Sequence, residues 1–150
     1  MHTDTIDHDS GTTPARLRTL HALRDLHRVN AAFSSATGVA MAAASGWVSR
    51  QLDLPRPFVV VLGSGLVGWA ALLVLLAAQT APRLVRLSAL VAAGDAGWVV
   101  GTAALFVARR PTAIGAALAL ATAAVVAVFA VTGFWRVRSA SSASTGGSAR

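Results

Sequence analysis

The chain has no cysteine, no lysine and no glutamate. Without cysteine there is no disulfide framework, no thiolate metal site and no thiol nucleophile. Charge is sparse as well: 13% of the 150 residues are charged, against about a quarter in an ordinary soluble domain. A soluble fold of this length must cover itself with polar surface, and the middle of this chain has almost none. All thirteen basic residues are arginine and all six acids aspartate, a bias expected of a GC-rich, bacterial genome. The arginines sit in the ends and short connections, not on one face. The formal charge of +7 therefore points to lipid headgroups as counter-charge and away from nucleic acid.

What the chain has in abundance is apolar sequence, 55% of the total. Residues 29–48, 58–78 and 112–135 are free of charge, and 87–108 carries only Asp95. Each run has the roughly 20 residues that cross ~30 Å of hydrocarbon as a helix. Pro55, Pro57, Pro82 and Pro111 mark short connections between them, which force antiparallel neighbours. The expectation is an all-α, four-helix transmembrane bundle with up-down-up-down topology, in the inner (plasma) membrane. Residues 15–28, basic and leucine-bearing, read as an interfacial helix leading into the first span. The polar ends, 1–14 and 139–150, read as disordered. A cleaved secretory signal competes for the first span, but its leader is long and its apolar run poor in leucine.

Arginines set the expected orientation. Eight (Arg16, Arg18, Arg24, Arg28, Arg83, Arg86, Arg136, Arg138) fall on one side, and four (Arg50, Arg56, Arg109, Arg110) on the other. The positive-inside rule then places both termini in the cytoplasm. Trp47 and Trp135 lie at span ends, as aromatic belt residues do.

Few motifs suggest chemistry. Gly63, Gly65 and Gly68 spell GxGxxG after an apolar run, the order of a dinucleotide-binding turn. The hydrocarbon continues without interruption, however, and no acid follows about twenty positions on to hold a ribose. The glycines are read as helix-packing contacts. All four histidines precede the first span. His2, Asp4, Asp7, His8 and Asp9 lack a preformed geometry for metal, and His21 and Asp25 are spaced as an ion pair as readily as a ligand pair. No catalytic set can be assembled from spans that hold one acid and no histidine. The expectation is no enzyme, no cofactor and no metal.

Asp95 is the informative residue. An aspartate at mid-span costs about 2.5 to 3.5 kcal/mol on the insertion scale. The eight Leu, Phe and Val residues of its span return about 2.4 to 4.8 kcal/mol. The helix is therefore marginal alone and its carboxyl needs partners. Reflection about Pro82 brings Asp95 level with Trp69, and reflection about Asp53 brings Trp69 level with Thr37. Trp98 lies one turn from Asp95. Asp95, Trp69, Thr37 and Trp98 thus form a candidate intramembrane polar cluster. Two stripes support an internal polar level: Ser88, Asp95 and Thr102 on the third span, and Asn30, Ser34, Thr37, Met41 and Ser45 on the first. Gly94, Gly97 and Gly101 run beside the former and invite a close neighbour. The fourth span offers Thr122 but is otherwise apolar, and reads as the most lipid-exposed or oligomer-forming helix.

These residues also carry a resemblance. Arg28, Val29 and Asn30 with Ser34 and Gly38, the Leu52-Asp53-Leu54-Pro55 turn, Asp95 with Trp98, and Pro111-Thr112 with Gly115 resemble a bacterial family of small four-span integral membrane proteins without assigned function. The resemblance implies a fold and no activity. The family's pattern has an aspartate where this chain has Asn30 and an asparagine where it has Asp95. Two functional expectations follow from the residues: association through glycine-bearing faces, with a second copy or a membrane partner, or a small oligomeric transporter or channel coupled to protons at Asp95.

Overall fold

The computed structural model describes residues 14–145, and these form five helices without a strand among them. They are α1 (Pro14–Ala43), α2 (Ser45–Leu52), α3 (Arg56–Ala77), α4 (Ala81–Ala108) and α5 (Ala113–Thr145). Three of them are long and apolar enough to cross a membrane: Arg56–Ala77, Ala81–Ala108 and Ala113–Ser139. The first expected span is not among these three. Its apolar run is diluted by Asn30, Ser34, Ser35 and Thr37, and its helix breaks at Ala44. α1 runs unbroken from Pro14 through Ala43, so residues 15–28 and the start of the apolar run share one helix. At the other end α5 continues as helix through 139–145, a stretch expected to be disordered. The remainder of both expected tails, including His2, Asp4, Asp7, His8 and Asp9, lies outside the described residues.

Local chemistry explains the boundaries. Pro57 and Pro82 occupy the first turns of α3 and α4, where a missing N–H costs nothing, so both helices begin before their prolines instead of after them. Asp53 ends α2 in the left-handed conformation (φ 54°), which a short polar side chain tolerates, and its N–H caps the Ser49 carbonyl. Thr112 caps α5: its hydroxyl accepts from the Gly115 N–H at 3.1 Å and donates to the Gln51 side-chain carbonyl. The Thr112 N–H also donates to the Gln51 backbone carbonyl at 2.9 Å. The start of α5 is thereby fastened to the end of α2.

Packing divides the molecule into a closed half and an open half. α1 lies along α3, and α4 along α5; α1 also touches α5, whereas α3 and α4 approach each other little. In the closed half, around the α3–α4 turn, Leu20, Leu23, Ala31, Ala70, Leu73, Leu76, Leu84 and Val91 make the core. The N-terminal half of α1 thus packs into this core, and Leu23 is fully buried. Beyond the Trp69–Gly94 contact α3 and α4 part. Of the buried residues of α4, Leu84, Ser88 and Val91 precede this opening and Asp95 stands at its edge. α4 and α5 are covered to a similar degree, with 17% and 22% of their apolar windows buried, and part of the uncovered surface of α4 faces the cleft. Outward, Leu75, Leu90, Val100, Val107, Leu120 and Val128 are all exposed, an apolar surface that matches lipid.

Candidate functional site

The parting of α3 and α4 leaves a cavity of about 1360 Å³ whose walls are almost entirely apolar. Asp95, Trp69, Thr37 and Trp98, the four residues of the expected cluster, all line it. The four therefore border one space, which also extends to Phe58, Leu105 and Arg109.

The partner of Asp95 is a different residue from the one reflection selects. Asn30 Nδ2 donates to Asp95 Oδ2 at 2.8 Å, and Ser34 Oγ donates to Asn30 Oδ1 at 3.2 Å. The Trp69 indole also interacts with the carboxyl, as its level predicts. Thr37 lies further along α1, on the cavity wall. The offset has a physical cause. Reflection about Asp53 treats the first span as one regular rod, but the helix is interrupted at Ala44, whose backbone (φ −97°, ψ 22°) leaves the helical range. Gly38 against Gly63 sets the true register: a Cβ on Gly38 would lie 2.5 Å from the Gly63 carbonyl oxygen. That contact moves the reflection point toward Gln51 and brings Asn30 closer than Thr37 to the level of Trp69.

One turn toward the closed end a second polar bridge parallels the first. His27 Nε2 and Ser88 Oγ are 2.7 Å apart, and the Ser88 hydroxyl donates to the Leu84 carbonyl at 2.7 Å. A hydroxyl has one proton, so the imidazole must be the donor and carries its hydrogen on Nε2. His27 Nδ1 then presents a bare lone pair, and it has no partner although the residue is 2% exposed. Both bridges join α1 to α4 across the middle of the bundle. Sequence reasoning missed His27, treating every histidine as solvated. The signal was present: His27, Asn30 and Ser34 follow the 3-4 spacing of one helix face.

The glycines separate into two groups. Gly38 and Gly63 bring α1 onto α3, Gly94 lies under the Trp69 ring, and Gly115 lies against the Gln51 carbonyl, where any Cβ would collide. Gly65, Gly68, Gly97 and Gly101 have nothing within 4 Å. Of the GxGxxG motif only Gly63 is a packing contact, and all three glycines sit within α3, where no strand–turn–helix exists to hold a nucleotide. His21 and Asp25 do not pair; Asp25 instead accepts from Arg28 at 3.2 Å, with both side chains exposed. Trp98 Nε1 is buried without a partner, a donor left over at the cavity wall.

Compared with protein-family models, curated proteins and solved structures, the chain finds no match.

Proposed function

We propose that the chain is a non-enzymatic integral membrane protein that takes a lipid-sized, largely apolar guest into the cleft between α3 and α4. In this reading the broken first helix crosses the bilayer with the other three, the bundle has four spans, and both termini face the cytoplasm. The observation that carries the proposal is the cleft itself: about 1360 Å³, walled by apolar side chains and open between two membrane-length helices. That volume exceeds the roughly 300 to 1,000 Å³ of a drug-sized pocket. Hydrocarbon cannot leave such a space empty, so something from the bilayer enters it. The carboxyl on its wall is held by Asn30 and Trp69 and serves as a clamp between α1 and α4. Native mass spectrometry of the full chain extracted from membranes tests the proposal. Bound lipid-mass adducts are expected on wild type and should vanish in Gly97→Leu, which fills open space; adducts that survive the filling would place the guest elsewhere.

A second reading is favoured by Gly97 and Gly101, four residues apart on α4, where an added Cβ meets nothing within 4 Å. Here the cleft receives a helix of a second copy. Because the chain has no cysteine, Gly101→Cys alone reports it: disulfide-linked dimers in native membranes support association, and a persistent monomer opposes it.

A further inference from the structure

At the open end, beside the cleft, lies a smaller cavity of about 360 Å³ lined by Ser49, Arg50, Asp53, Leu54, Pro55 and Arg109. Leu54, Pro55 and Arg109 line both spaces, so the polar cavity and the apolar cleft adjoin along a shared rim. Three charges face the smaller one. Arg50 sits in the last turn of α2, Asp53 is its left-handed cap, and Arg109 ends α4 in extended backbone. None of the three pairs with another: among the described residues the one ion pair joins Arg28 to Asp25. Among the described residues their side chains have no hydrogen-bond partner either, so two exposed guanidinium groups and one exposed carboxylate line the same open cavity.

We infer that this cavity holds the headgroup of a zwitterionic phospholipid whose acyl chains fill the adjoining cleft. The inference rests on the cleft being a guest site, as proposed above. Guanidinium is the group suited to bidentate contact with phosphate, and Arg50 and Arg109 stand at helix ends, at the depth where a bilayer keeps its phosphates. Asp53 supplies what an ammonium needs and penalises a second negative charge. Two cations and one anion therefore match a phosphate bearing an ammonium arm better than a headgroup with anionic charge alone. The shared rim provides the continuity that an amphiphile requires, polar at one end and hydrocarbon along the rest.

The test uses the full chain in detergent, in a Trp47→Phe/Trp135→Phe background that leaves Trp69 and Trp98 as the only fluorophores. Phosphatidylethanolamine and phosphatidylglycerol with brominated acyl chains are titrated at low mole fraction. Saturable quenching reports chains in the cleft, and the difference between headgroups reports the polar cavity. The expected result is half-quenching by the ethanolamine lipid at about tenfold lower mole fraction, a preference abolished in Arg50→Gln/Arg109→Gln. Asp53→Asn, whose new side chain also tolerates left-handed backbone, should shift the preference toward the glycerol lipid, so the conclusion does not depend on the double variant folding. Equal saturable quenching by both lipids would overturn the headgroup site and leave the cleft reading intact. No saturable quenching by either lipid, or a cleft closed to both in a crosslinked dimer, would overturn both. Displacement by soluble phosphoethanolamine at comparable concentration would assign the cavity to a free phosphate compound and overturn the lipid.

Discussion

At the scale of single residues the polar contacts between α1 and α4 are the features most open to test. Asn30→Ala removes the donor that meets Asp95 and leaves a buried carboxyl short of a partner, so it should lower resistance to unfolding by SDS by about 1–3 kcal/mol. Exchanging the two groups, Asn30→Asp with Asp95→Asn, restores one amide facing one carboxyl and should recover most of that loss. Asp95→Asn alone replaces a charge by a neutral group of similar shape; the clamp reading expects full folding and unchanged ion flux in liposomes, and a flux lost with the carboxyl would favour proton coupling. His27→Ala removes the donor that meets Ser88 and should likewise lower resistance to unfolding by SDS, by about 1–3 kcal/mol.

At the scale of elements, the division of the glycines yields a contrast within one residue type. Gly38→Ala and Gly63→Ala must push α1 off α3 and should each cost about 1–3 kcal/mol, whereas Gly65→Ala and Gly68→Ala meet open space and should be neutral or slightly stabilising through helix propensity. Thermal unfolding of the four variants in one detergent decides it. This contrast also marks where sequence reading stops. Helix positions and the company of Asp95, Trp69 and Trp98 were legible, because apolar runs, prolines and one short turn fix depth along a rod. The partner from α1 was not, because the helix is interrupted at Ala44 without a proline or a glycine at that residue. Which glycines pack and which face open space was equally hidden, since spacing gives the face of a helix but not what lies opposite. The pairing of Gly115 with Gln51 joins residues far apart in sequence and leaves no periodic trace.

At the scale of the whole molecule, the even number of proposed crossings returns the chain to the side on which it starts. Protease or maleimide probes at the two termini of reconstituted protein should react from the same side, and opposite-sided labelling would mean that the broken first helix does not cross. The uneven packing has a mechanical consequence. The main apolar core grips α3 and α4 near their shared turn, the Asn30–Asp95 and His27–Ser88 bridges stand where that core ends, and at the far end the contacts of Gln51 with Thr112 and Gly115 tie the rods together again through α2 and α5. That is a clasp fastened at both ends around a hollow middle. Whatever wedges the hollow therefore loads both fastenings, one of which ends in a histidine and an aspartate.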